Sequence, residues 1–577
     1  MDLTMMSLVA QNIVVRSQEP SGFVSRMFLV KKGDSTFRPV FNLKNLNKFL
    51  SPKKFRLISH FRIPSFLQRG DYLATIDLSQ AYCHVPIAPR HRRYLTFVYN
   101  GVPFNWTCLP FGLATAPQVF AQLTNWVASV LREKGIRTIV YLDDFLFAHQ
   151  DPSCLQEHLK IALHLLRSLG WIINEKKSQL LPSQCVDFLG ISWDTGKGLI
   201  SLPMKKVLLI SDLLSRWLQR ATWSLSSAQV LIGTLGFAAF SIPLGRLNLR
   251  PLQMASRKLP RSSPRKTFLI PVVVMNALRW WKSNLLNSVP LHSPELRAFL
   301  STDASNLGWG AELSGKFCQG VWTEEQKCWH INRKELHAVR AAIWVNRHRL
   351  QNHTITLQSD NKTVVSYIRK QGGLKSHSLM QETKNLFLLT SVLNIHILPF
   401  YIPGKLNGLA DSLSRQSVLP EWHLKPSITQ VVFRRWGVPV IDLFASKRSR
   451  VVSDYVSRDP LDLQAVFTDA FSRTWSFRLA WVFPPPPLVP QVLHHLNSAT
   501  GQYLVVVPRW TKVFWRADLK SRAVAPPLVV KDLLFHLVDL SSGLPPSQAE
   551  DLILEIWNIR GGPPRSQVGQ KRKRGCC

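Results

Sequence analysis

Acidic residues and cysteines are both scarce in this sequence. Asp and Glu together number 35 in 577 residues, against 72 Lys and Arg. The 8 cysteines include the terminal pair Cys576 and Cys577, and the rest are scattered with no Cys-x-x-Cys pair. Cys318, Cys328 and His330 have the wrong spacing for a zinc module, so reduced thiols of an intracellular protein are the expectation. Long hydrophobic runs are missing too. The best candidate span, Ala221–Gly245, is interrupted by Ser, Thr, Gln and Pro, which favours a pair of buried core helices over a membrane crossing. No membrane partner is expected. Asp2, with no basic run before Met5 and Met6, does not suit a signal peptide. There is no internal repeat.

What is present is a large excess of positive charge, 72 − 35 = +37. On folded domains such an excess points to a polyanion, because neutralising phosphates releases counterions. A hydrophobic fraction of 46% argues against wholesale disorder, and the length predicts three or four domains. Residues from about 20 to 200 alternate apolar runs with Gly/Pro turns, as a mixed α and β unit does. From Pro203 the pattern turns helical, with Val207, Ile210, Leu213, Leu214 and Trp217 on one face. Arg257–Pro271 reads as a basic linker, and two further α/β units follow, one from about Leu296 and one from about Val431.

Two constellations of acids stand out against this background. In Thr138-Ile-Val-Tyr141-Leu142-Asp143-Asp144-Phe-Leu-Phe147, adjacent acids interrupt two β-prone runs, which predicts a hairpin with the acids at its tip. A plain Asp-Asp turn is the bland alternative. A second strand, Tyr72–Ile76, ends at Asp77. Carboxylates from neighbouring strands can converge on two divalent ions that activate a 3′-hydroxyl and stabilise a leaving pyrophosphate. The second constellation spreads over four segments: Asp303 on a strand, Glu335 near the start of a helix, Asp360 at a strand end, and Asp411 on a later helix. Asn332 is expected to cap the helix with Glu335 at the capping-box position, so a mere cap is the bland reading of that glutamate.

Tyr141-Leu142-Asp143-Asp144 resembles the YxDD box of reverse transcriptases. Asp77, Phe37-Arg38-Pro39-Val40, Leu109-Pro110-Phe111-Gly112-Leu113 and Phe188-Leu189-Gly190 resemble that family's first acid, fingers motif, template segment and primer grip, in its order. The resemblance implies that Asp77, Asp143 and Asp144 hold metal, with Asp77 and Asp143 as principal ligands. It implies that Lys32 and Arg38 hold the incoming triphosphate and that Tyr82 is a steric gate against the 2′-hydroxyl. Phe111 and Gly112 would lie along the template, and Phe111, where retroviral enzymes carry Gln, is similar to gypsy-like elements. Lys176 or Lys177 would be the lysine that protonates pyrophosphate.

Asp303, Glu335, Asp360 and Asp411 resemble the ribonuclease H set in order and spacing. Many cellular members have a mobile His before the fourth acid, whereas the loop here runs Ile402-Pro-Gly-Lys-Leu-Asn407-Gly408. That departure implies altered product release rather than inactivity.

Ile441-Asp442-Leu443-Phe444-Ala445-Ser446 and Phe483-Pro-Pro-Pro-Pro487 resemble a phage-type DNA adenine methyltransferase. Phe483 stands at the polar position of the catalytic loop, which favours a degenerate scaffold over a live enzyme.

Together these features resemble DIRS-type retrotransposons. The implied fold class is α+β multidomain: a right-hand polymerase (fingers, palm, thumb), then an α/β ribonuclease H-like domain and a smaller α/β domain. The implied boundaries are 1–200 for fingers and palm, 201–295 for thumb, connection and basic linker, 296–416 for ribonuclease H, 430–540 for the methyltransferase-like domain and 541–577 for a basic, disordered tail. The implied cofactor is Mg²⁺ or Mn²⁺, two ions per active site. The implied partners are RNA template, DNA primer, RNA-DNA hybrid and dNTPs, with an element-encoded recombinase and capsid-like proteins as further candidates. Lys571–Arg574 reads as a nuclear address or a solvated tail, so the location expected is intracellular, in cytoplasm, nucleus or both. The competing reading is a decayed or co-opted copy that grips nucleic acid without catalysis.

Overall fold

A computed structural model describes residues 2–17, 23–32, 36–404, 407–415, 421–459, 462–546 and 549–563. The basic cluster Lys571–Arg574 lies outside them, and so do the side chains of Lys32 and Arg38. The chain divides into two compact units, one formed mainly by residues 1–221 with 237–245 and 278–292, the other by 222–236, 246–277 and the remainder from Ser293. Among the described residues no helix is long and apolar enough to cross a membrane. The stretch Ala221–Gly245 supplies one helix, Leu225–Ala238, where a pair was expected.

In the first unit, strands β1 (Met27–Lys32) and β2 (Thr36–Phe41) form an antiparallel hairpin that carries Lys32 and Arg38. A four-stranded sheet follows, built from β3 (Tyr72–Asp77), β4 (Thr138–Tyr141), β5 (Asp144–His149) and β6 (Gln179–Ser183) in the order β4-β5-β3-β6. Helices α1 (Ala116–Glu133) and α2 (Pro152–Ser168) cover it. Their apolar residues recur at helical spacing: Phe120, Val127 and Leu131 on one, Leu155, Leu159, Ala162 and Leu166 on the other. These pack on Ala74, Ile76, Phe145 and Phe147 of the two central strands. Burying both central strands on that face fixes their register, since a one-residue slip would turn every side chain over. A hairpin of β7 (Cys185–Phe188) and β8 (Ile191–Asp194) turns through Leu189 and Gly190, both at positive φ. Helix α3 (Met204–Leu218) then buries Val207, Ile210, Leu214 and Trp217, the face read from the sequence.

The second unit is built around two five-stranded sheets. The first joins β9 (Leu296–Ala304), β10 (Gly308–Leu313), β11 (Lys316–Val321), β12 (His353–Ser359) and β13 (His396–Tyr401) in the order β11-β10-β9-β12-β13. β9, β12 and β13 run parallel, whereas β10 and β11 return antiparallel. Helices α4 (Ile331–Val345) and α5 (His377–Val392) pack on this sheet, and α6 (Gly408–Ser414) lies against β10. A Cβ added at Gly310 would sit 2.5 Å from the Leu413 Cβ and 2.6 Å from the Ala410 carbonyl, so only glycine lets α6 approach so closely. This arrangement is a ribonuclease H-like fold. With the polymerase-type fold of the first unit, it makes the chain an α+β multidomain protein.

The other sheet joins β14 (Ile441–Asp442), β17 (Ser476–Val482), β18 (Thr500–Pro508), β20 (Leu554–Arg560) and β19 (Leu528–Val530), in that order. β14, β17 and β18 are parallel and β20 is antiparallel. A parallel bridge from Asp442 to Tyr455 leads to β15 (Val456–Ser457) and β16 (Phe467–Thr468) on the far side of β14. Alternate residues of β18 feed two separate cores, Tyr503, Val505 and Val507 on one face and Leu504 and Val506 on the other, so both faces are covered. The tail expected from 541 therefore starts too early. Leu554–Arg560 is a buried strand paired between β18 and β19, and its run Leu-Glu-Ile-Trp-Asn-Ile has the β-branched and aromatic content of one.

Candidate active sites

The first acid set sits at the end of two adjacent strands. Asp77 on β3 is the direct cross-strand neighbour of Asp144 on β5, and Asp143 lies in the two-residue turn that joins β4 to β5. Leu142 in that turn has φ +52, a left-handed conformation that costs a non-glycine residue of order 1 kcal/mol and is held by the sheet on both sides. The Leu78 N–H donates to the Asp143 carbonyl at 3.1 Å, tying the turn to β3. Burial first, then Asp143 and Asp77, push the Asp144 carboxyl up to about 7. Sequence reasoning missed the support behind Asp77. Its N–H donates to Ser178 Oγ at 3.0 Å, and that hydroxyl donates to the Asn174 carbonyl at 2.8 Å. Of the two lysines left open by the sequence, Lys177 is the one brought to the acids, its Nζ 3.8 Å from Asp77 Oδ1. No contact joins Lys176 to them among the described residues.

Around the acids, the Tyr82 ring lies 4.9 Å from Phe111 and 5.4 Å from Phe120, which fixes its plane. Burial, followed by the charge of Asp143, holds its hydroxyl above the usual range. Gly112 has φ +104, and a Cβ there would lie 2.8 Å from the Phe41 carbonyl. Its carbonyl accepts from Asn47 Nδ2 at 2.9 Å. The close approach that requires glycine is thus to β2.

The second acid set is tighter and drier. Asp303 on β9, Glu335 on α4 and Asp360 just after β12 place ligand oxygens within 4.8 Å of one another. Burial pushes Glu335 up to about 9 and Asp303 up to about 6, with the other acids of the set adding to each. Glu335 Oε2 is buried with no hydrogen-bond partner among the described residues. Mutually repelling buried carboxylates with an unmatched oxygen are the donor set a hard divalent cation needs, so these residues fit such an ion. Asp411 on α6 stands outside the close trio and raises Asp303 and Asp360 through space. It accepts from Arg415 Nε at 2.7 Å.

Here too the sequence reading missed the supports. The buried Ser414 hydroxyl donates to Asp303 Oδ2 at 2.7 Å, linking α6 to β9. The buried Asn407 donates from Nδ2 to the Thr302 carbonyl at 2.8 Å, pinning the loop that lacks the mobile His. Both residues stand in quoted motifs, but nothing in their spacing says that they point inward. One expectation is overturned. His330, not Asn332, caps α4, its side chain accepting from the Asn332 N–H. The helix therefore starts one residue after His330, Glu335 falls beyond the capping-box position, and its side chain is left for the acid cluster.

Residues 30–193 match the family described as reverse transcriptase (RNA-dependent DNA polymerase), and every element of the first acid set lies inside that span. These residues form a reverse transcriptase domain. The chain is homologous to retroviral and retrotransposon polyproteins. It is 25% identical over 415 residues to the genome polyprotein of Petunia vein clearing virus, an alignment of 69% of this chain and 18% of that polyprotein. It is 24% identical over 418 residues to the transposon Tf2-3 polyprotein of Schizosaccharomyces pombe, covering 70% and 29%. With the Pro-Pol polyprotein of feline foamy virus it shares 30% over 238 residues, covering 41% and 19%. The chain thus spans less than a third of each of these curated relatives. The solved foamy viral protease-reverse transcriptase in complex with dsDNA aligns over 70% of this chain and 82% of its own, at 19% identity and TM-score 0.46.

A third concavity lies in the second unit. A cavity of about 730 Å³ opens beyond the carboxyl ends of β14, β15 and β17 and is lined by Phe444, Ser457, Arg458, Phe471 and the Phe483–Leu488 loop. Asp442, at the end of β14, accepts the Phe444 and Val451 N–H groups at 3.2 Å each, and burial pushes its carboxyl up to about 7. It serves as a staple for the turn.

Proposed function

We propose that the chain is an RNA-directed DNA polymerase with ribonuclease H activity, copying retrotransposon RNA into DNA and degrading the RNA of the resulting hybrid. The observation that carries this reading is the pairing of Asp77 opposite Asp144, with Asp143 in the turn between, inside the span that matches reverse transcriptases. Mg²⁺ or Mn²⁺, two ions per acid set, would supply charge neutralisation and activation of the attacking oxygen when bound. Asp77, Asp143 and Asp144 would hold them at one site, and Asp303, Glu335, Asp360 and Asp411 at the other.

The protein's own contribution is positioning and charge, which is most of what phosphoryl transfer asks. Tyr82, held by Phe111 and Phe120, lies under the sugar of the incoming dNTP and excludes a 2′-hydroxyl. Lys32 and Arg38 hold the triphosphate, and Lys177 is poised to give a proton to pyrophosphate. The excess of 37 positive charges favours template RNA, primer DNA and the hybrid as partners.

We also propose that the element is DIRS-type and that the last domain is a degenerate methyltransferase-like scaffold. Strands that run outward on both sides of β14, with a cavity at that reversal, suit such a scaffold. Phe483 cannot accept a hydrogen bond from a target amine, and Asp442 is already occupied by two backbone N–H groups. An element-encoded recombinase and capsid-like proteins are the proposed companions, in cytoplasm, nucleus or both.

The test is Mg²⁺-dependent dNTP incorporation on an RNA template primed with DNA. The parent extends the primer, whereas Asp143→Asn binds the duplex without extending it. Extension by Asp143→Asn at the parent rate would overturn the assignment.

A further inference from the structure

At the far end of β5 from Asp144, a different set of candidate ligand side chains comes together. His149 is the last residue of that strand, Asp151 caps α2, and Cys154 stands in the first turn of that helix. Ligand atoms of these three side chains all lie within 4.8 Å of one another. His158 is one turn after Cys154, on the same face of α2, and its ring centroid is 5.1 Å from that of His149 in an edge-to-face arrangement. Its Nδ1 is buried with no hydrogen-bond partner among the described residues. An imidazole, a carboxylate and a thiol thus converge, with a second imidazole beside the first, all within ten residues of chain.

We propose that His149, Asp151, Cys154 and His158 form a zinc-type structural site that staples the end of β5 to the start of α2. The donor set is what selects the ion. A thiolate and two imidazoles suit borderline-soft Zn²⁺ and are poor ligands for Mg²⁺, which takes oxygen. The thiolate and the carboxylate bring two negative charges, which one divalent ion neutralises. The geometry is partly fixed beforehand. The Asp151 N–H donates to His149 Nδ1 at 2.9 Å, and the Asp151 carbonyl lies 3.0 Å from the same nitrogen, so the backbone orients the ring. Asp151 Oδ1 accepts the Cys154 N–H at 2.8 Å, which holds the carboxylate beside the thiol. Cys154 is exposed and unbridged, so an ion can reach it. The site is separate from the catalytic acids, because five residues of strand set His149 roughly 17 Å from Asp144. The sequence did not reveal it because His-x-Asp-x-x-Cys-x-x-x-His matches no module spacing and depends on the bend between β5 and α2.

The full chain, stripped with chelator, is titrated with Co²⁺ and then with Zn²⁺, and the thiolate-to-cobalt charge-transfer absorption is recorded. The expected result is a band that saturates with one equivalent more in the parent than in Cys154→Ser and that Zn²⁺ abolishes. His149→Asn is expected to weaken Co²⁺ binding at this site by about tenfold or more. Zn²⁺ should raise the thermal midpoint of the parent and leave that of Cys154→Ser where it was. Both variants alter residues outside the polymerase acids, so primer extension in Mg²⁺ alone should match the parent and report intact folding. No band in the parent, or the same number of equivalents in parent and Cys154→Ser, would overturn the site. Neither outcome depends on whether the chain copies RNA.

Discussion

The two acid sets draw on carboxylates held by different scaffolds, and they differ in how deeply those carboxylates are buried. Asp77 and Asp144 face each other at the open end of a sheet, with Asp143 in the turn. Among the described residues these three do not gather their oxygens into one close group. Asp303 and Glu335 are buried, and with Asp360 they form a preassembled trio. On the proposed function, the strand-turn site would take a primer end and an incoming nucleotide to complete its coordination. The strand-helix site arrives with three of its four acids already gathered, and on the same proposal would need only the phosphodiester. On that reading the first would be completed by its substrates, whereas the second is braced by the hydrogen bonds that Ser414 and Asn407 make behind it.

The largest expected effects separate the two sets outright. Asp303→Asn should lose RNA cleavage by roughly 10³-fold or more and leave primer extension within about twofold, while Asp143→Asn does the reverse. Measuring both activities of both variants on one labelled hybrid checks this, and a variant that lost both would make the sites interdependent. Next comes Ser414→Ala, which removes the donor to Asp303. Apparent Mg²⁺ affinity for RNA cleavage should fall by about 10–100-fold, read from the metal dependence of the rate, with Ser414→Thr restoring part of it. The corresponding change in the first set, Ser178→Ala, acts on Asp77 through its backbone N–H alone and also gives up the bond to the Asn174 carbonyl. A few-fold loss of extension rate is expected, and a loss as large as that in Ser414→Ala would erase the contrast.

The two sets should also differ in pH dependence. Glu335 sits near 9 in the cation-free protein against an ordinary 4.5, so the folded state keeps a proton that the unfolded chain gives up. Cation-free stability should therefore fall as pH rises from about 4.5 toward 9. A metal ion must displace that proton, so Mg²⁺ affinity for cleavage should still be tightening between pH 7 and 9, by up to about tenfold per unit. Asp144 sits near 7, so the Mg²⁺ requirement for extension should have levelled off by then. Metal titrations at pH 7, 8 and 9 compare the two, and Glu335→Gln should remove the slope from any residual cleavage.

Much of this was legible in the sequence. The hairpin around Asp143 and the strand ending at Asp77 follow from β-prone runs broken by acids, whereas Asp303, Glu335, Asp360 and Asp411, two on or beside strands and two on helices, are grouped by their resemblance to the ribonuclease H set. What stayed hidden depends on partners far away in the chain. Ser178 meets Asp77 across 101 residues, and Ser414 meets Asp303 across 111. A serine in a motif carries no mark of where its hydroxyl goes. The N-cap of α4 was misplaced because Asn is the commoner cap, whereas His330 supplies the acceptor. Strand β20 was lost to the tail because the basic, Gly/Pro-rich end of the chain overshadowed seven residues of strand before it.

The most direct measurement is a count of Mn²⁺ ions bound to the full chain on an RNA-DNA hybrid, by electron paramagnetic resonance. Both acid sets should load, with Asp143→Asn emptying one and Asp303→Asn the other. A parent protein that grips the hybrid yet takes up no Mn²⁺ at either set would contradict the two-site reading.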